Sequence, residues 1–292
     1  MKPLFQALVD SWLSSHKPWG RDHAVRALLL KILMCALSKA GFFQIGALYG
    51  ESAMYFFHEL LKIPDELDLC LCEGSCEAVD PVPYHKECST WIRAFGLTAT
   101  TEVPDWDASD PRSIIFHFQA DGHVLNSPLR IVVNIRPSPG SHACFVTGHN
   151  ARPCPCFVRM CDLPTLLADT MYELLASSQH KCIGRALIHY LPLHSHKVPV
   201  NMPYLRERLA LANHPLAREL TLQTLQKALT RRLQSLDYEA AKQAAVPQDT
   251  PPPLACALYG ITLWGSDFFC SITRDLKEES TEAVRAAPLF LL

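Results

Sequence analysis

The sequence lacks the short motifs by which many enzyme classes are recognised. It contains neither a G-x-x-x-x-G-K-[ST] loop nor a G-x-G-x-x-G loop, the two glycine-rich turns that wrap phosphate groups. No local Ser-His-Asp or Cys-His arrangement can be assembled, and no internal repeat recurs. These absences argue against P-loop proteins, Rossmann-type dehydrogenases and repeat architectures, so a functional site must be sought in a different kind of pattern.

The chain also lacks a strong charge and a long apolar run. A formal net charge of −2 gives no overall electrostatic reason for tight binding to nucleic acid or to a membrane surface. The most apolar segment, Ala27–Leu37, is too short to span a bilayer and is interrupted by Lys31, so it predicts a core helix. Asp10 precedes any apolar run long enough for a signal peptide. We therefore expect a cytoplasmic protein without membrane contact.

The C-x2-C spacing of zinc knuckles is absent, although the chain has twelve cysteines. Without an export signal, these thiols are expected to be reduced and to serve mainly as small buried hydrophobes. A structural metal is the alternative for two clusters with other spacings. These clusters are Cys70, Cys72 and Cys76, and Cys154, Cys156 and Cys161.

Histidine and arginine clusters leave two further alternatives open. Three histidines close in sequence predict solvated or helix-capping groups, with a metal site as the alternative. A leucine-rich helical segment carries several arginines, which predict a solvated helix face or, alternatively, contacts to a nucleic-acid backbone. The histidines are His189, His194 and His196, and the arginines are Arg206, Arg208, Arg218, Arg231 and Arg232.

Hydrophobic periodicity predicts an α+β protein. We expect N-terminal helices over residues 1–41, a mixed βα core over 42–160, a helical subdomain over 161–246, and a proline-rich linker with a tail over 247–292. Helices are predicted at 2–14, 21–40, 52–61 and 84–95, and from Asp162 onward. Strands are predicted at 42–48, 67–71 and 156–160, with a hairpin over 113–136 that turns at Asp121 and Gly122.

Two acidic residues break the apolar pattern of the second predicted strand. Glu66 and Asp68 are two residues apart, so their side chains would share one face of a strand and could together ligate a divalent cation. Upstream, Gly50 permits a tight turn, and the backbone amides of Glu51 and Ser52 lie at a helix N-terminus, where an anion is favoured. This combination is typical of metal-assisted chemistry on a phosphate compound.

The order of these elements resembles the nucleotidyltransferase core of the AbiEii/AbiGii toxin family. A small-residue turn (GESAM), a helix and the sequence PDELDL are followed by the strand LRIVVNIRP and by VRMCDLPTLLADTMYELLAS. The resemblance extends over about residues 41–193. It implies a nucleotidyltransferase-like fold and transfer of a nucleotide from a nucleoside triphosphate to RNA or protein. It further implies Mg²⁺ held by Glu66 and Asp68, nucleotide contacts from Gly50, Ser52 and Arg185, and an antitoxin partner.

Several positions depart from the family pattern. Glu51 replaces a turn glycine, and Glu66 replaces an aspartate. Asp169-Thr170 stand where the family has Glu-Lys, and the segment beginning at Arg185 lacks two carboxylates. An alternative is therefore a pseudoenzyme that uses the fold as a binding or regulatory module; a third is an unrelated structural α+β protein. A cation from Lys181 or Arg185 at the carboxylates would favour activity, whereas Glu51 or apolar side chains in the cleft would favour the binding module.

Overall fold

The N-terminal region consists of helices, as the periodicity predicts. A computed structural model of the chain describes residues 4–15, 20–58, 63–74, 76, 79–102, 112–119, 128–151, 153–246, 256 and 259–278. The first helices are α1 (Leu4–Ser15) and α2 (Arg21–Lys39). Helix α2 packs against α1, and every residue of its apolar segment 27–37 except Lys31 is buried, which confirms that this segment is a core helix.

A mixed sheet forms the centre of the protein. Its seven described strands lie in the order β3-β4-β5-β2-β1-β7-β6. Strand β2 pairs antiparallel with β1 and parallel with β5, while β1 is also parallel to β7. The strands are β1 (Gly46–Leu48), β2 (Glu66–Leu71), β3 (Ala99–Glu102), β4 (Arg112–Phe118), β5 (Leu129–Arg136), β6 (Phe145–Asn150) and β7 (Cys156–Cys161).

The strand predictions hold for the central strands and fail at the edges. Strands β4 and β5 confirm the predicted hairpin partners, although the turn at Asp121 and Gly122 lies outside the described residues. The predicted strand over 42–48 is wrong in its first half, because Phe42–Ile45 forms a helical turn, α3, after the left-handed Gly41. Strands β3 and β6 were not predicted. Both lie at sheet edges, where solvent-facing polar residues hide the apolar pattern.

Helices cover the sheet and make up the C-terminal part. Asp162 begins α6 as predicted, because its carboxylate accepts a hydrogen bond from the backbone N–H of Thr165. The predicted linker over 247–253 lies outside the described residues. The helices after α3 are α4 (Gly50–Phe57), α5 (Val82–Ala94), α6 (Leu163–Ala176), α7 (His180–Ser195), α8 (Met202–Leu211), α9 (Leu222–Gln234), α10 (Tyr238–Ala245) and α11 (Ser266–Thr273).

The described helices agree with the predicted absence of a transmembrane segment. Within the described ranges, no helix combines the length and the apolar character needed to cross a bilayer. The long apolar helix α2 instead lies inside the protein, where it contacts α5 and strand β7 as well as α1. The hydrophobicity of this segment is therefore explained by burial within the fold.

One buried histidine makes the fold sensitive to pH. His58 ends α4, and burial lowers its pKa to about 4, with a backbone hydrogen bond at Cys161 opposing and nearby His196 reinforcing the shift. Because the unfolded chain takes up this proton near pH 6.5, the stability that neutral His58 contributes is complete above pH 6.5. It is lost as the pH falls toward 4.

We expect His58→Gln to reduce the dependence of the free energy of unfolding on pH between pH 7.5 and pH 5. Between pH 7.5 and pH 5, the wild-type free energy of unfolding should fall by roughly 2 kcal/mol because of His58 alone, since each pKa unit corresponds to about 1.4 kcal/mol. Urea unfolding at both pH values measures the difference. His180→Gln, which changes an exposed histidine, should keep the wild-type slope. An unchanged slope in His58→Gln would contradict a neutral buried imidazole.

Candidate functional site

Asp68 of β2 lines a cleft beside the sheet, and Glu66 lies on the same face of the strand. Leu67 and Leu69 are fully buried, so the alternation of a strand directs Glu66 and Asp68 to the opposite face. Both carboxylate-bearing residues are only partly buried. The side-by-side arrangement that the sequence predicts is therefore present in the structure.

The neighbouring strand β5 supplies hydrogen-bond donors to these carboxylates. Parallel pairing places Asn134 opposite Asp68. The Asn134 side-chain amide donates to a Glu66 carboxylate oxygen and lies 3.5 Å from Oδ1 of Asp68. A guanidinium nitrogen of Arg136 lies 3.2 Å from the same Asp68 oxygen. Ser113 of β4 donates to Oδ1 of Asn134 at 2.9 Å. A polar row thus crosses three strands at the carboxylates.

Hydrogen bonds also hold the turn before α4, and the first turn of α4 itself, against β2. The Tyr49 backbone N–H donates to the Asp68 carbonyl at 3.0 Å, and Gly50 has a positive φ of 53°. The hydroxyl of Ser52 donates to the Glu66 carbonyl and accepts from the Asp68 N–H, at 3.0 and 2.9 Å. Ser52 is fully buried. Its hydroxyl therefore holds α4 against the carboxylate strand.

The opposite wall of the cleft carries further acidic residues, each beside a basic side chain. Glu173 on α6 pairs with Arg185 on α7. Glu51 on α4 lies 4.0 Å from Nε2 of buried His189. Together with Asp68 and Arg136, these residues line one pocket next to the Gly50 turn. Charges of both signs alternate around the cleft.

A fourth acid–base pair lies deeper, where α6 meets α8. The Asp169 carboxylate is 3.5 Å from a guanidinium nitrogen of Arg208, and it accepts a hydrogen bond from the Tyr204 hydroxyl at 3.2 Å. The Arg208 guanidinium also stacks over the Tyr172 ring, with its carbon 4.5 Å from the ring centre. Tyr49 joins this group through its hydroxyl, 3.5 Å from that of Tyr204.

Burial and pairing shift the pKa values of Glu173, Arg185 and Arg208. Burial raises the pKa of Glu173, although neighbouring Arg185 opposes the shift. Burial disfavours the charged form of Arg185, but the Glu173 carboxylate outweighs it, and the pKa of Arg185 rises. Asp169 likewise raises the pKa of Arg208 against the effect of burial. Both guanidinium groups therefore remain charged at every physiological pH.

The structure brings together most of the residues that the sequence singled out. Gly50, Asp68 and Arg185 line the same pocket. Glu66 and Ser52 are not among its lining residues, although the Asn134 amide contacts both Glu66 and Asp68. Lys181 is exposed near the start of α7 and is not among the residues lining this pocket. Glu51, by contrast, does line it.

Sequence reasoning missed Asn134 and Arg136 as site residues. The sequence feature that could have identified them is the polar Asn134 inside the β-branched run IVVNIR, followed two positions later by the basic Arg136. That spacing places both side chains on one face of β5.

The predicted cysteine and histidine clusters are not brought together as metal sites. All twelve cysteines are free thiols. Across the described ranges, no group of three or more His, Cys, Asp or Glu side chains is arranged to hold a metal ion. Three of the helical arginines are used internally. Arg208 pairs with Asp169, Arg206 donates to the Leu220 carbonyl, and Arg232 donates to the carbonyls of Leu174 and Ser177.

Comparison with solved structures defines the class of fold. No protein-family model matches the chain, and no curated protein matches its sequence. A proposed nucleotidyltransferase from H. pylori superposes with a TM-score of 0.54 over 88% of this chain and 97% of its own, at 12% sequence identity. The chain therefore has a nucleotidyltransferase-like α+β fold.

Two further structures give TM-scores of 0.42. JHP933 from Helicobacter pylori is 10% identical, over 88% of this chain and 89% of its own. An antigenic nucleotidyltransferase-like protein from Paracoccidioides brasiliensis is 11% identical, over 69% of this chain and 92% of its own.

We expect Ser52→Ala to destabilise the protein. Removing the hydroxyl leaves the Glu66 carbonyl and the Asp68 N–H without this partner in a buried place, which costs about 1–3 kcal/mol. Urea unfolding measures the loss. Ser271→Ala is the matched control, because the Ser271 hydroxyl is exposed and bonds only a carbonyl of its own helix; its effect should stay within about 0.5 kcal/mol. Equal effects of the two substitutions would contradict the anchoring role of Ser52.

Proposed function

We propose that the cleft binds a nucleoside triphosphate with Mg²⁺ and that the protein transfers a nucleotide to an acceptor. The observation that carries this proposal is the position of Glu66 and Asp68, side by side on β2 and directly beside the Gly50 turn. Two carboxylates, completed by substrate phosphates and water, form a donor set typical of Mg²⁺ sites in phosphate-transferring enzymes. The donor set therefore fits this ion.

Glu66 and Asp68 would hold the Mg²⁺, which when bound supplies positive charge to the reacting phosphates. The turn would contribute in another way. Gly50 adopts a left-handed conformation with no atom within 4 Å of the position a Cβ would take, so the backbone there is open to a ligand. The N-terminal amides of α4 at Gly50 and Glu51, which line the pocket, would bind phosphate oxygens, and the Arg185 guanidinium would neutralise a further charge. The buried Ser52 would act by holding this turn in place.

The resemblance to AbiEii-type toxins suggests the acceptor and the partner. We propose RNA or protein as the acceptor and an antitoxin as the natural inhibitor. The acceptor would approach from the open side of the cleft, where the half-exposed Arg136 lies. A cytoplasmic location is part of the same proposal.

The first test is calorimetry with Mg²⁺ or Mn²⁺ and each of the four nucleoside triphosphates. We expect metal-dependent binding to the wild type and its loss in the double variant Glu66→Ala/Asp68→Ala, because both oxygen ligands are then removed. The control is Asp267→Ala, which removes a carboxylate at the distant helix α11 and should leave binding unchanged. No heat from folded wild-type protein with any nucleotide would contradict the proposal.

A second candidate is a pseudoenzyme that uses this cleft as a binding or regulatory module. The observation that favours it is the pairing of every acidic residue lining the pocket with a basic side chain: Asp68 with Arg136, Glu51 with His189, Asp169 with Arg208 and Glu173 with Arg185. A catalytic metal site requires carboxylates available to the metal, whereas here Arg136 already neutralises Asp68. In this candidate, Arg136 takes the electrostatic role of a metal ion.

Arg136→Gln tests this competition. Removing the guanidinium should raise the affinity for Mn²⁺ about tenfold, equivalent to about 1.4 kcal/mol, because the cation no longer competes for Asp68. Titration followed by the electron paramagnetic resonance of free Mn²⁺ gives the dissociation constant. Arg130→Gln changes an exposed arginine of the same strand and should leave it unchanged. An unaltered affinity in Arg136→Gln would show that Arg136 does not compete with the metal.

A further inference from the structure

A pair of cysteines lies in contact on the side of the sheet where α2 packs against β7. Cys35 is in α2, and Cys156 is the first residue of β7. Their sulfur atoms are 3.4 Å apart. Cys35 is buried and Cys156 is half-buried, so a small molecule can reach Cys156 from solvent while Cys35 lies directly behind it. None of the cleft residues takes part in this contact.

Polar groups surround the two sulfurs. The Cys35 thiol donates to the Cys154 carbonyl at 3.3 Å, and the side-chain amide of Asn150 donates to the same carbonyl at 3.2 Å. That amide also lies 3.5 Å from the Cys35 sulfur. The pair therefore has polar neighbours at the end of a strand, with the Cys154 carbonyl as an acceptor and the Asn150 amide as a donor.

The two thiols differ in acidity. Its hydrogen bond with Cys35 lowers the pKa of Cys156; burial opposes this shift, and bonds from Asn150 and Ser38 add to it. Cys35 shifts in the opposite direction, since its bond to Cys156 and its burial both raise its pKa. Cys156 is thus the more readily ionised sulfur, and Cys35 is a protonated neighbour in contact with it. A nucleophilic thiolate beside a second thiol is the arrangement that oxidation converts to a disulfide.

A second cysteine pair provides an internal contrast. Cys70 and Cys161 also interact, but both are fully buried in adjacent parts of the core. Burial, reinforced by Cys70, raises the pKa of Cys161 well above its usual value. That pair lacks solvent access, and the Cys161 thiol stays protonated, so proximity alone does not make the pair reactive.

We propose that Cys35 and Cys156 form a site of reversible oxidation at which a peroxide produces an intramolecular disulfide. The Cys156 thiolate attacks one peroxide oxygen, the O–O bond breaks, and the products are a sulfenic acid and, from hydrogen peroxide, hydroxide. Cys35 then loses its proton and attacks the Cys156 sulfur, and the sulfenic oxygen leaves as water. In total, two thiols give up two electrons and two protons, and hydrogen peroxide becomes two molecules of water.

Bond formation needs only a small movement. A disulfide bond is about 2.05 Å long, so the two sulfurs, which are 3.4 Å apart, must approach by about 1.4 Å. The resulting cross-link would join the central helix α2 to the end of β7. A thiol reductant would reverse the reaction by exchange.

The test treats the native full chain with hydrogen peroxide and then counts thiols after denaturation. We expect the count to fall by two from the twelve of the sequence, and to recover with dithiothreitol. Mapping of peptides by mass spectrometry should show Cys35 joined to Cys156. Cys156→Ser should abolish the loss, while Cys161→Ser and Cys154→Ser should retain it.

Several outcomes would overturn the proposal. A full thiol count after peroxide treatment would do so, as would a disulfide that joins Cys35 to Cys154 or Cys70 to Cys161. The wild-type peptide map gives an answer even if Cys156→Ser fails to fold, because the linkage is read from the unmodified sequence. The measurement involves neither nucleotide nor metal, so its result is independent of the function proposed for the cleft.

Discussion

The hydroxyl of Ser52 fixes the geometry on which the cleft depends. It links the first turn of α4 to two backbone groups of β2, the carbonyl of Glu66 and the N–H of Asp68. The N–H of Tyr49 adds a third bond to the same strand. Two of these bonds run through the buried Ser52 side chain and one is directly between backbone groups. Together they hold the Gly50 turn at a fixed distance from the strand that carries the two carboxylates. A phosphate and a metal ion could share this site only if that separation were held constant.

Charge balance is the second constraint on the cleft. Carboxylates and basic groups are placed in pairs around it, so the pocket does not accumulate charge of one sign at a low-dielectric surface. Two of the pairs, Glu173 with Arg185 and Asp169 with Arg208, also join separate helices of the C-terminal part. The same contacts that neutralise the site therefore hold its far wall, and a substitution there changes both the electrostatics and the packing.

The sequence predicts the local parts of this arrangement better than the assembled site. Alternation in ELDLCL was enough to place Glu66 and Asp68 on one face, and the Asp162 cap marked the start of α6. The contacts of Arg136 depend on the parallel register between β2 and β5, which local periodicity does not determine. Arg208 reaches the cleft only because α8 packs on α6. The sequence analysis did not single out Arg136, and it predicted a solvated helix face or, alternatively, nucleic-acid contacts for Arg208.

The paired charges also relate the two candidate functions to each other. A metal-bound triphosphate brings a cation that Asp68 can bind and phosphate oxygens that can accept hydrogen bonds from Arg185. On binding, the ligand would replace Arg136 at Asp68 and Glu173 at Arg185, so that Asp68 and Arg185 would each exchange one partner for another. The two candidate functions then differ in whether the contacts of Asp68 and Arg185 with the ligand are more stable than their ion pairs within the protein. Arg136 influences this competition more directly than Glu173 does, because Arg136 contacts the carboxylate that would hold the metal.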